Sequence, residues 1–240
     1  MGRTNRTPGR IIQWAEGEEI PMMKLLSVNV SLPKEVPYRG GTVSTGIFKE
    51  PVTGRVMLRR LNLDGDKQAD SSVHGGVHKA AYAYPFEHYG WWGRELGRTD
   101  FTFGQFGENF TVEGMLEDAV CIGDVYRVGA ALVEVTQPRA PCFKIGIRMG
   151  MDDFPKRFMA SGRTGFYLKV LEEGEVGAGD GIERIPGNVG DITVKGLWHL
   201  AYHEPQNLED ARKALRLQSL APEWRKPMEK RLVKAGIPLE

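Results

Sequence analysis

Short runs that alternate apolar and polar residues fill the first three quarters of the chain, with glycine and proline between them. Residues 25–30, 43–49 and 55–63 predict strands, separated by a loop at 34–41 and a Pro51-Val52-Thr53-Gly54 turn. Residues 64–76 are polar and glycine-bearing, and residues 80–84 predict another strand. Pro85 at a first helical turn, followed by Phe86, Tyr89 and Leu96, predicts an aromatic-rich helix ending near Gly97. Further strands are expected at 110–112, 121–128, 131–136, 165–171 and 182–185, with a helix at 151–160 capped by Asp152 or Asp153. Eight or so strands punctuated by glycine corners predict a mainly-β fold with helices, a closed or nearly closed barrel.

The pattern changes after Pro186-Gly187-Asn188-Val189-Gly190. Residues 192–202, 208–217 and 223–235 carry helical spacing, broken at Pro205 and at Ala221-Pro222. The expected organisation is an extension at 1–21, a β-barrel domain at 22–188 and a three-helix segment at 189–240. Residues 1–21 are too polar for a signal peptide, and the strand pattern begins just after Met22-Met23, so the ancestral start is expected at one of these. Two roles are open to the helical tail: a dimer contact, or a dock for an electron donor.

Composition narrows the function classes. Apolar content of 41% and charged content of 26% over 240 residues are those of an ordinary soluble globular protein. The net charge of +1 points to neither nucleic acid nor a membrane surface as a partner. Thirty glycines and fourteen prolines favour a turn-rich β architecture over a helical bundle. With only Cys121 and Cys142, a disulfide framework is not expected, and a reducing, cytoplasmic setting is the default.

Candidate chemistry centres on Gln137-Pro138-Arg139-Ala140-Pro141-Cys142-Phe143-Lys144. Pro138 and Pro141 are expected to stop strand pairing and to hold a non-helical turn. Cys142 leaves that turn between Arg139 and Lys144, and cationic neighbours favour the thiolate that attacks electrophiles and binds soft metals. The competing reading is a buried, inert, small apolar residue, which is also the expectation for Cys121. The glycines of 64–76 allow close backbone approach to a ligand and an anion-binding nest of N–H groups. His74 and His78 have the i, i+4 spacing of a zinc pair, but Gly75-Gly76 between them argues against the helix this requires.

Four stretches taken together carry a family resemblance. Asp66-Lys67-Gln68-Ala69-Asp70, His74-Gly75-Gly76 with Lys79-Ala80, Gly107-Glu108-Asn109 and the cysteine stretch stand in an order and spacing similar to MOSC-domain proteins. With the helical tail, the chain resembles their YiiM-like branch over roughly residues 23–235. The resemblance implies a β-barrel that binds the molybdenum cofactor, a pterin dithiolene with a phosphate tail, and Cys142 as the molybdenum ligand. It also implies reduction of N-hydroxylated compounds, such as N-hydroxylated purine bases and hydroxylamines, in a detoxification role. The two electrons would come through the metal cofactor from a separate reductase, and pyridoxal phosphate is not required.

Around this implied site, Arg139 and Lys144 are candidates for the cofactor's anionic groups, with Arg60 and Lys79 as further phosphate candidates. Gln68, Asp70, Gly75, Gly76, Glu108 and Asn109 offer donors, acceptors and backbone for a pterin edge, although such residues also serve simply as turn formers. His74 is the candidate proton donor to the departing oxygen, or a structural histidine bonded to loop backbone. His88, Trp91 and Trp92 are expected in the core or at the rim, and His199 and His203 to be structural. The alternative function is a non-catalytic carrier, holding the cofactor or transferring sulfur through a Cys142 persulfide.

Overall fold

Strands form where β-branched and aromatic residues alternate, and the computed structural model, which describes residues 23–69, 75–187 and 191–239, contains twelve of them. In chain order these are β1 (Lys24–Val30), β2 (Lys34–Tyr38), β3 (Gly41–Thr45), β4 (Glu50–Pro51), β5 (Arg55–Leu58) and β6 (Ala81–Pro85), then β7 (Phe110–Glu113), β8 (Val125–Val128), β9 (Ala131–Pro138), β10 (Phe166–Glu172), β11 (Gly174–Gly177) and β12 (Ile182–Arg184). The helices are α1 (Glu87–Leu96), α2 (Phe143–Met149), α3 (Phe154–Ser161), α4 (Val194–Tyr202), α5 (Leu208–Arg216) and α6 (Pro222–Lys234).

Eight strands make one mixed sheet in the order β12-β8-β9-β10-β6-β7-β1-β4, antiparallel except for the parallel β6–β7 pair. The small pairs β5–β11 and β2–β3 flank it. All five residues of β6 are buried, as expected for a strand covered on both faces.

The expected barrel is not what the ladders form. Three hydrogen bonds join residues 23–25 to 179–182, but they amount to one isolated bridge, Lys24 with Gly181, and the sheet order stays open. The Asp180 carboxylate accepts from Arg55 Nη1 at 2.8 Å and from the Gly177 amide at 2.9 Å, which folds 177–181 into a corner. The backbone of that corner makes two of the three bonds, both to Leu25, and β12 beyond it is three residues long, so contact with β1 does not extend into a ladder.

Other expectations shift for equally local reasons. Residues 34–41 form a hairpin rather than a loop, because Arg39 and Gly40 both take positive φ (47° and 81°), the geometry of a two-residue turn matched to strand twist. The strand expected at 43–49 ends at Thr45. Asp153 occupies the position before α3 without capping it, and its carboxylate pairs with Arg157 at 2.8 Å instead. Pro85 ends β6 instead of opening a helix.

The core has two parts. The larger joins Val28, Phe110, Val133 and Leu168 of the sheet to Leu197 and Trp198 of α4, Ala211 and Ala214 of α5 and Trp224 and Met228 of α6. The tail therefore packs into the sheet's own core. Thr193 caps α4 by accepting from the Gly196 amide at 2.9 Å, a contact worth about 1 kcal/mol. The second part is aromatic: Tyr82, Tyr84, Trp92, Phe106, Phe154 and Phe158 pack from β6, α1, the 101–106 loop and α3. His88 and Trp92 are buried within this region and Trp91 is partly exposed. The organisation expected for 1–21, and the junction at 188–190, fall outside the described residues. Among those described, no helix is long and apolar enough to cross a membrane.

Candidate functional site

Two close backbone approaches open a cleft above the aromatic cluster. A side chain at Gly46 would bring its Cβ within 2.6 Å of the Lys67 carbonyl oxygen, so glycine there lets the chain leave β3 and run against residue 67. Gly107 takes φ +79°, and a Cβ there would sit 2.7 Å from Ile47 Cγ1. The resulting cleft is open on one side, and its space, solvent at the mouth included, is about 600 Å3.

Its walls carry five cations, Lys49, Lys67, Lys79, Arg139 and Lys144, against one carboxylate, Asp66, among the described residues. Gln68, Asn109, Tyr82, Tyr167 and Cys142 complete the lining that bears chemistry. Such a surplus of positive charge on low-dielectric walls selects an anionic ligand.

Arg139 is held in place on three sides. Its backbone N–H donates to the Gly165 carbonyl at 3.1 Å, its Nη1 donates to the Phe106 carbonyl at 2.6 Å, and its guanidinium lies 4.4 Å from the Tyr82 ring centroid. Burial lowers its pKa, but ionised Tyr82, Tyr167 and Cys142 would raise it, and the net direction is upward. Arginine stays charged in proteins, and this guanidinium lies within electrostatic reach of Cys142. Burial also pushes the Tyr82 and Tyr167 hydroxyls up, so both keep their protons at neutral pH.

Cys142 sits at the position preceding α2, in extended backbone (φ −115°, ψ 172°), and is in no disulfide. It is partly exposed at the cleft, which excludes the fully buried, inert reading. Strand β9 runs two residues past the expected end at Thr136, through Pro138, which pairs with Phe166, and stops at this first proline of the motif. Beyond Cys142 the chain turns at once into α2, a helix that the sequence reading left as turn. Phe143, its first residue, stacks on Tyr38 of the β2–β3 hairpin at 5.0 Å.

Lys49 and Asp66 form a buried pair at 2.5 Å. Asp66 also accepts from the Ser31 amide at 2.8 Å and, through its other oxygen, from Asn109 Nδ2 at 3.0 Å. Burial draws the Lys49 pKa down, an effect Asp66 partly offsets. Neither Lys49, Tyr82 nor Tyr167 was singled out from the sequence, because each lies in or beside a strand-like run with no motif of its own; Asp66 and Lys67 fall in the 66–70 stretch that carries the family resemblance, but neither was given a role there.

The remaining candidates divide clearly. Lys144, Lys79, Gln68 and Asn109 line the cleft as expected. Glu108 does not: it is fully buried behind the wall, accepting from Tyr89 and Thr111 hydroxyls and from the Gly104 and Phe106 amides. Burial drives its pKa up against those donors. Arg60 is exposed and off the cleft, its amide bonded to Glu173. Gly75 and Gly76 are not cleft walls; the Gly76 carbonyl accepts from the Lys79 amide at 2.9 Å in a 3-10 turn spanning Val77–Lys79. Asp70 and His74 lie outside the described residues. His199 and His203 stack on each other on exposed α4 and the turn after it, away from the cleft.

Residues 70–183 match the MOSC domain, and residues 192–235 match the YiiM-like, 3-alpha helix domain. YflK of Bacillus subtilis (strain 168) is 41% identical over 201 residues, 84% of this chain and 90% of that protein. A protein of Gibberella moniliformis (strain M3125 / FGSC 7600) named "Reductase" is 36% identical over 146 residues, 60% of this chain but 26% of that longer protein. The crystal structure of YiiM from Geobacillus stearothermophilus superposes with a TM-score of 0.74 at 36% identity, covering 88% of this chain and 99% of that one. The chain belongs to the MOSC-domain family, in the YiiM-like branch with a C-terminal three-helix domain.

Proposed function

We propose that the chain binds the molybdenum cofactor in this cleft and reduces N-hydroxylated compounds, purine bases and hydroxylamines among them. The observation that carries the reading is a partly exposed thiol, Cys142, in a cleft whose cations outnumber its acids five to one among the described residues. Family membership and a relative named a reductase support it.

The residues fit the group. A single soft thiolate suits a metal that arrives with dithiolene ligands of its own, and Cys142 would be the protein ligand. Lys79, Arg139, Lys144 and Lys67 would hold the phosphate and other anionic parts. Gln68 would face the edge of the pterin, with the Tyr167 hydroxyl beside it; the Asn109 amide is already bonded to Asn29, Asp66 and Tyr82, and the Tyr82 hydroxyl donates to the Thr164 carbonyl, so these two shape the wall. When bound, the cofactor supplies the two electrons that no side chain carries, passed to it by a separate reductase.

The chain's own part is to bind, orient and manage protons. The overall change is R–NH–OH + 2 e− + 2 H+ → R–NH2 + H2O, so two protons must enter for each N–O bond cleaved. The buried Lys49–Asp66 pair fixes the wall's geometry without adding net charge, and the Tyr167 hydroxyl keeps its proton there. His74 remains the candidate donor to the departing oxygen.

The test is direct. Purified protein loaded with cofactor and supplied with a reduced viologen dye should convert an N-hydroxylated purine to the parent base, followed by chromatography. Cys142→Ser should lose at least a hundredfold of that activity. No conversion by cofactor-loaded wild type, with a persulfide on Cys142 in its mass spectrum, would replace this reading with sulfur transfer.

A further inference from the structure

The three-helix tail does more than pack against the sheet. Pro222 opens α6 and Trp224 is buried in the main core, so Glu223 between them is fixed in the first turn. Its Oε1 lies 2.7 Å from Lys79 Nζ and accepts from Gln137 Nε2 at 2.6 Å. Lys79 lines the cleft with its side chain 12% exposed, whereas the Glu223 side chain is 48% exposed. Gln137 is buried on β9, two residues before Arg139, and its Oε1 has no hydrogen-bond partner among the described residues, so its amide is oriented there through Glu223. A second tie joins the same regions: Ser219 Oγ donates to Glu134 of β9 at 2.6 Å.

We infer that the three-helix segment completes the ligand site, with Glu223 a positioning residue that holds Lys79 in the cleft wall and steadies the end of β9. The inference rests on the proposal that the cleft takes an anionic ligand. Glu223 does not itself line the cleft. Its hydrated carboxylate is screened from a bound anion, yet its contact with Lys79 Nζ adds a restraint on a long, rotamer-rich side chain. The tail thus adds order to the cation without cancelling the charge of the cleft.

The full-length protein tests this with two readouts. The first is reductive methylation of Lys79 by formaldehyde, followed by peptide mass spectrometry, which needs no cofactor. In Glu223→Gln, Lys79 should label about three- to tenfold faster than in wild type, and Glu223→Asp should restore most of the protection. The second is pterin and molybdenum content, which should fall about two- to fivefold in Glu223→Gln. A control, Arg225→Met, loosens the tail elsewhere, because Arg225 donates to the Leu215 and Leu217 carbonyls at 2.7 Å. Unchanged labelling in Glu223→Gln, equal acceleration in Arg225→Met, or undiminished cofactor in Glu223→Gln would each overturn the inference. Faster labelling in a protein whose wild type binds no pterin would uphold the clamp and remove the cofactor reading.

Discussion

Two lysine–carboxylate pairs border the cleft, and they differ in nearly every physical respect. Lys49–Asp66 is buried, with side chains 9% and 1% exposed, and both partners belong to the sheet region. Lys79–Glu223 is 12% and 48% exposed and spans from the sheet region to the tail. In the first, each charge depends on the other, because a lone ion in that environment faces a heavy desolvation cost. In the second, water can replace either partner. The inner pair therefore acts as architecture, and the outer pair as an adjustable restraint on a ligand-facing cation.

The sharpest way to break this contrast is to remove one inner charge. Asp66→Ala leaves Lys49 buried without its counter-ion and strips partners from Ser31 and Asn109, and should cost about 3–5 kcal/mol in denaturant unfolding. A cost under 1 kcal/mol would make the two pairs equivalent and end the distinction.

Glu108 gives an intermediate effect and a pH signature. Glu108→Gln should cost about 1–3 kcal/mol, because one amide oxygen cannot accept from all four donors. Its folded pKa is raised by burial, so in wild type the folded state holds this proton to higher pH than the unfolded state. The stability from that proton is full below about pH 4.5 and is lost as pH rises through the folded value. The Glu108→Gln protein should therefore gain stability with pH more steeply than wild type from pH 4.5 to 7, measured as Tm against pH. Parallel curves would contradict the assignment.

The smallest effect belongs to the outer pair. Glu223→Gln should change stability by less than about 1 kcal/mol, since half-exposed ion pairs contribute little. A loss as large as that of Asp66→Ala would mean that Glu223 holds the fold and not merely Lys79.

Much of this was legible in the sequence, and the failures have physical causes. The three tail helices fall within two residues of their expected ends, because each carries a helical apolar stripe, and proline opens α6. Arg139, Cys142 and Lys144 were marked by the proline-framed motif. Glu108 and Asn109 were adjacent in the same corner, yet one is buried behind the wall and the other lines it, a division that sequence spacing cannot make. Lys49 and Asp66 are seventeen residues apart and meet only after the chain passes through β4 and β5 and turns back. Glu223 lies eighty-six residues from Gln137, and only the docking of the tail on the sheet brings them together. Closure of the barrel was over-read from the number of strands, since strand count does not say whether the first and last strands pair along a ladder or, as here, meet at one isolated bridge.

The central claim is that Cys142 is the protein's ligand to a molybdenum centre in this cleft. The most direct measurement is molybdenum and pterin content, by mass spectrometry and pterin fluorescence, of wild type beside Cys142→Ser purified from the same cofactor-producing host. Wild type should carry both near one per chain, and Cys142→Ser, folded to the same Tm, should lose most of its molybdenum. Molybdenum retained undiminished in Cys142→Ser would contradict the account.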